Sequence, residues 1–99
     1  MALWGTAKMR KLALTHSAEK FWSGLDPKPY KQIGRAVLGL LRDPEPHDSS
    51  LLKGAKNRER RIDAGEYRIV YAVTDDTIEV LVIGKRNDSD VYKQWERIK

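Results

Sequence analysis

Residues 65–73 read GEYRIVYAV and residues 77–84 read TIEVLVIG, with only a short turn containing Asp75 and Asp76 between them. Both runs are rich in β-branched and aromatic residues, and a turn this short joins antiparallel neighbours. A hairpin is therefore the one arrangement such a chain can hardly avoid. A third run, 57–63, precedes them across Ala64-Gly65, so the C-terminal half reads as a three-strand meander. Each of the two longer runs carries an arginine among apolar residues, Arg68 in the first and Arg86 just past the second. A cation held against a small sheet is costly unless something anionic meets it.

The N-terminal half supplies the cover for that sheet. Residues 11–16 (KLALTH) alternate apolar and polar and read as a short strand. Ser17 is a candidate cap for a helix over 18–25, with Ala18, Phe21, Trp22 and Leu25 on one face. Asp26-Pro27 is a second helix start, an N-cap residue followed by proline at the first helical position. This helix is predicted to run to about Arg42, with Ile33, Val37, Leu40 and Leu41 as its buried stripe, and Pro44 and Pro46 stop it. Residues 87–90 start a last helix, with Val91, Trp95 and Ile98 on one side and Trp95 at the sheet edge. The fold class is α+β: two helices on a small antiparallel sheet, then a short C-terminal helix.

With two-residue turns in both hairpins, Tyr67 is predicted to face Ile62, and Arg68 to face Arg61. In the second hairpin Val73 faces Ile78, Tyr71 faces Val80 and Ile69 faces Val82. Side chains alternate, so Ile62, Tyr67, Ile69, Tyr71, Val73, Ile78, Val80 and Val82 share an apolar face for the two helices. The other face carries Glu59, Arg61, Arg68, Val70, Leu81 and Ile83. Two arginines directly opposite repel. They read either as a surface ion network with Glu59 or as a preformed clamp for an anion.

Composition narrows the partners. Ninety-nine residues suffice for one domain with one modest core, residues 1–9 forming a short extension. The chain is 33% charged and 40% hydrophobic with a net charge of +5. That balance suits a folded domain that meets nucleic acid or an acidic protein. No cysteine is present, which excludes disulfides and thiolate metal sites and fits a reducing cytoplasm. No apolar run is long enough for a membrane span. Between Lys53 and Arg60 stand Lys53, Lys56, Arg58 and Arg60 with Glu59 as the one acid, a pattern that favours phosphate contact.

LLKG at 51–54, RRI at 60–62, GEYRIVYAV at 65–73 and IGKR with DVY at 83–92, in helix–helix–meander order, resemble the RelE/ParE superfamily of bacterial toxin–antitoxin toxins. The resemblance covers about residues 11–95. It implies a partner antitoxin and one of two activities. The RelE branch cleaves mRNA in the ribosomal A site; the ParE branch poisons DNA gyrase. The GKR and VY ending is closer to RelE. By the same resemblance Arg68 is the arginine of the family's YR-aliphatic-VY strand and Arg61 a basic residue of the preceding strand. Arg86 is the arginine after GK, and Tyr92 the terminal tyrosine. Lys85 joins Lys53, Lys56, Arg58 and Arg60 as a candidate RNA contact.

The implied reaction is a metal-free, cofactor-free cleavage in which an RNA 2′-OH attacks the adjacent phosphate. Arginines suit its phosphorane charge, so Arg68 and Arg61 are expected to hold the phosphate, Arg86 to stabilise charge or protonate the leaving group, and Tyr92 to stack on or orient a base. The best-studied RelE type has a lysine two positions before Arg61. Here Glu59 stands there, a candidate general base beside Glu45. His16 and His47 lie outside the sheet. The alternatives are a gyrase inhibitor and a catalytically silent chain that only binds antitoxin.

Overall fold

The start of the long helix is set by Pro27, whose fixed φ is already helical. The computed structural model describes residues 9–87 and 89–98, and in it Asp26 is the N-cap but its side chain makes no capping hydrogen bond. The elements in chain order are β1 (Lys11–Leu14), α1 (His16–Ser23), α2 (Pro27–Arg42), β2 (Ser50–Leu51), β3 (Arg60–Ala64), β4 (Tyr67–Val73), β5 (Thr77–Lys85) and α3 (Asp90–Ile98). The buried residues of α2 are Ile33, Val37, Leu40 and Leu41, the stripe its sequence predicts. The extension expected at 1–9 lies outside the described residues except for Met9.

Five strands form one sheet in the order β1-β5-β4-β3-β2. The meander is antiparallel, but β1 lies parallel to β5, with Leu12 beside Ile78 and Leu14 beside Val80. The sheet is therefore mixed, which corrects the purely antiparallel expectation. Parallel neighbours need a long crossover, and α1, α2 and the first hairpin supply it. Both faces are covered. On one, Ala18, Ile33, Val37, Leu40 and Leu41 meet Ile62, Ile69, Tyr71, Ile78, Val80 and Ile83. On the other, Val91 and Trp95 of α3 and Leu52 meet Val70 and Val82. Trp95 thus lies over a sheet face rather than at its edge, while Ile98 is exposed.

The first hairpin turns at Gly65-Glu66, one residue later than predicted. Gly65 has φ +61°, a left-handed conformation that favours glycine, and a Cβ there would also push the end of the Gln32 side chain of α2, 2.7 Å away, aside. Ile62 consequently pairs with Ile69, Asp63 with Arg68 and Ala64 with Tyr67. Arg68 faces Asp63, not Arg61. The slip is two residues, so every side chain keeps its face while every partner changes.

The second hairpin is as predicted from Val73–Ile78 to Tyr71–Val80, and then shifts register. Val70 pairs with Val82 and Ile69 with Ile83, so Leu81 is an extra residue, a β-bulge. Beyond it the faces exchange. Ile83 enters the core under α2 and Val82 goes to the α3 side, the reverse of expectation. Thr15 completes the bulge. Its Oγ1 donates to the Leu81 carbonyl at 2.7 Å and accepts from Ala18 N at 3.2 Å. Thr15, not Ser17, is the cap of α1.

Candidate active site

Asp63 and Arg68 sit opposite each other on β3 and β4, on the sheet face that α3 partly covers. The carboxylate takes the guanidinium on two bonds, from Nε to Oδ1 at 2.6 Å and from Nη2 to Oδ2 at 3.1 Å. The third nitrogen, Nη1, donates to the hydroxyl of Tyr92 on α3. The Tyr92 ring also lies against the cation, with Arg68 Cζ 5.8 Å from its centroid. The Arg68 side chain is 15% exposed and that of Asp63 36%, so the pair stands at the rim of the site rather than beneath it.

A glycine brings Tyr92 there. Gly84 faces Arg68 across β4 and β5. It is buried, and a Cβ on it would fall 2.6 Å from Val91 Cγ2. The missing side chain is the seat of Val91 and lets the first turn of α3 rest on the sheet. Tyr92, next in sequence, then reaches Arg68. Further along α3, Trp95 Nε1 donates to Glu59 Oε2 at 3.3 Å.

Arg61 shares the face of Asp63, two residues away on β3. Arg86 follows the end of β5, held by a bond from its backbone N to the Glu66 carbonyl at 2.9 Å. Both act on Asp63. Its carboxyl is held below the ordinary 3.8 first by the hydrogen bond from Arg68, against a smaller opposing effect of burial, and then by the charges of Arg68, Arg61 and Arg86. Arg68 is pushed up by the same pairing. Arg68, Asp63 and Tyr92 are thus bonded together, with Arg61 on the same face of β3 and Arg86 just past β5, its charge acting on Asp63. Sequence reasoning passed over Asp63. The signal was Gly65: a glycine at the first of two turn positions puts residue 63 opposite residue 68.

The other candidates are dispersed. Glu59 is 3% exposed; Oε1 accepts from Asn57 N at 2.7 Å and Oε2 from Trp95. Arg60 points to the opposite face from Arg61, bonded through Nε to Ser49 Oγ at 3.1 Å beside the buried Tyr71. Lys53, Lys56 and Arg58 are exposed on the loop before β3. Lys56 and Arg58 flank a groove of about 660 Å3 floored by Ala72, Leu81 and Ile98, whose wall contains none of the three clustered arginines. Arg58 takes a left-handed φ of 58° and lies 3.8 Å from Glu45. Lys85 pairs with Tyr67, on the α1 side of the sheet end. His16 and His47 are exposed. Among the described residues no group of three or more histidine or acidic side chains could hold a metal ion.

Three helices on a mixed five-strand sheet are the fold of RelE-like toxins. Residues 12–89 match the family of the ParE toxin of type II toxin–antitoxin system, parDE, and the chain belongs to that family, within the wider RelE/ParE group. The free Escherichia coli toxin RelE, solved as a mutant lacking two arginines, is 25% identical with a TM-score of 0.72, over 92% of this chain and 99% of that one. The archaeal RelE–RelB complex of Pyrococcus horikoshii OT3 gives 23% and 0.69, over 79% and 96%. A YoeB/ParE toxin of Agrobacterium tumefaciens gives 23% and 0.65, over 77% and 98%. At 23% the likeness is one of fold. No match was found among curated protein sequences.

Proposed function

We propose that this toxin is a ribosome-dependent mRNA endonuclease. The observation that carries the proposal is Arg68, bonded to Tyr92 and sharing its sheet face with Arg61, with Arg86 just past the end of β5. Such a face suits a phosphodiester that gains charge as it reacts. The RNA 2′-oxygen attacks the adjacent phosphorus and gives up its proton; the bond from phosphorus to the 5′-oxygen breaks, and that oxygen takes up a proton. The products are a 2′,3′-cyclic phosphate and a 5′-hydroxyl. Arg61 and Arg68 hold the non-bridging oxygens, Arg86 stabilises the added charge or protonates the leaving oxygen, and Tyr92 orients Arg68 and the neighbouring base. Alignment of the three atoms by the ribosome-bound mRNA supplies much of the remaining acceleration. Glu59 serves as proton acceptor only if Trp95 moves off it. Lys53, Lys56, Arg58, Arg60 and Lys85 contribute charge toward RNA without reading its sequence. The reaction draws on no cofactor.

The whole chain, 1–99, acts as one toxin domain in the cytoplasm, where ribosomes and mRNA are. Among the described residues no helix is long and apolar enough to cross a membrane. A cognate antitoxin is its protein partner, as RelB is of RelE in the Pyrococcus horikoshii complex. An acidic, partly apolar antitoxin segment laid over the arginine face neutralises it.

A second reading, a gyrase inhibitor, is favoured by the ParE description of the matched family. Mapping cuts on mRNA in a translating extract, beside a gyrase supercoiling assay, decides between them. Cuts in the A-site codon support the endonuclease; inhibition of gyrase without cuts supports the second reading. Activity in neither assay leaves a silent antitoxin-binding protein.

A further inference from the structure

We infer that Asp63 is a positioning residue of this site: it fixes the plane of the Arg68 guanidinium toward Tyr92 and lowers by one unit the charge that the three arginines offer to an anion. The inference rests on the reading of this face as a phosphate site. Its basis is the donor count. An arginine side chain has five N–H donors in a rigid plane. Asp63 takes two of them and Tyr92 one, leaving one on each terminal nitrogen for a ligand. Two anchors on different elements, β3 and α3, define an orientation that one ion pair could not. A guanidinium so fixed needs no reorganisation when charge develops beside it.

The charge follows from the neighbours. Asp63 is bonded to Arg68, Arg61 stands two residues along on the same face of β3, and the charges of Arg61 and Arg86 also act on the carboxylate. A site built for maximal affinity would omit that carboxylate. Keeping it sacrifices ground-state attraction for the phosphate and secures the alignment of Arg68. Affinity and rate should therefore respond to Asp63 with opposite signs, which a simple surface ion pair would not produce.

Two substitutions separate the two effects. Asp63→Asn keeps the shape, removes the charge and breaks one of the two bonds. Asp63→Glu keeps the charge and displaces the fork by a methylene. The binding probe is a single-stranded RNA oligonucleotide with 2′-methoxy groups, which lacks the attacking hydroxyl. D63N should bind it severalfold more tightly, with a slope of log affinity against log salt steeper by up to about 0.7. Single-turnover cleavage on programmed ribosomes should slow about 10–100-fold. D63E should bind the probe as the unsubstituted protein does and cleave as slowly as D63N. In nitrogen-15 spectra the Arg68 Nε–H should exchange slowly with solvent in the unsubstituted protein and fast in D63N; the same spectra report whether each variant is folded. Unchanged affinity together with unchanged Nε–H exchange in D63N would overturn the inference. So would weaker probe binding by a folded D63N. If the unsubstituted protein does not cut mRNA at all, the endonuclease reading fails, and probe binding and Nε–H exchange still decide the role of Asp63.

Discussion

Gly84 and Val91 are packed so closely that the smallest side chain on Gly84 would overlap the Val91 methyl, at 2.6 Å. This contact seats α3 on the sheet and carries Tyr92 to Arg68. Gly84→Ala should force α3 outward and destabilise the protein by about 1–3 kcal/mol, as overpacking does. It should also lower cleavage in molecules that remain folded, because Tyr92 retreats with the helix. Thermal unfolding and single-turnover cleavage, compared on one preparation, check both effects.

Arg68→Ala should leave stability within about 1 kcal/mol, since its partner Asp63 can be rehydrated at the rim. Cleavage should fall by about a hundredfold or more. Arg86→Ala should do nearly the same. Arg61→Lys should retain part of the rate, because charge survives while the planar fork does not. A double Arg68→Ala, Arg86→Ala variant with full cleavage would remove the phosphate clamp from consideration.

The hydroxyl and the ring of Tyr92 make separate contacts with Arg68. Tyr92→Phe loses the hydrogen bond and keeps the ring. It should slow cleavage by about tenfold, the loss of one hydrogen bond to a charged group. Tyr92→Ala loses both and should cost about tenfold more. Equal losses in the two variants would assign the whole effect to the hydroxyl.

Glu59 is buried, with Trp95 Nε1 on one oxygen and Asn57 N on the other. A glutamine there offers an N–H to one of these donors. Glu59→Gln should therefore destabilise the fold by about 1–3 kcal/mol, and the rate per folded molecule should hold. A large rate loss at unchanged stability would instead make Glu59 the general base. Urea unfolding and cleavage rates separate the two.

The depressed pKa of Asp63 sets a pH dependence of stability. The group binds protons more readily unfolded, at 3.8, than folded. Its contribution is thus present above 3.8 and is lost as pH falls through the lower folded value. Between pH 5 and pH 2 the unsubstituted protein should lose more stability than Asp63→Asn, which has no such proton to bind. Chemical unfolding across that interval provides the comparison.

The sequence by itself determined the main elements and most of their buried sides, the two-residue β2 and the end of β5 excepted. Pro27 starts α2, the spacing of Ile33, Val37, Leu40 and Leu41 turns it, and alternation along Tyr67, Ile69 and Tyr71 gives the core face of β4. These are local properties with periods of 3.6 and 2. The residues gathered at the arginine face were also legible, since Arg61 and Arg68 share a side in any register of the right parity. Tertiary structure decided the partners. A slip of two residues preserves every apolar position, so the hydrophobic pattern cannot tell Arg61 from Asp63 as the neighbour of Arg68. The turn tells them apart: Gly65, at φ +61°, takes its first position, which sets Asp63 opposite Arg68. The bulge at Leu81 exchanges Val82 and Ile83, two apolar residues that hydrophobicity alone cannot rank. It is completed by a hydroxyl sixty-six residues away, on Thr15. The bulge rests on a contact distant in sequence, which is where a pattern read along one strand has no information.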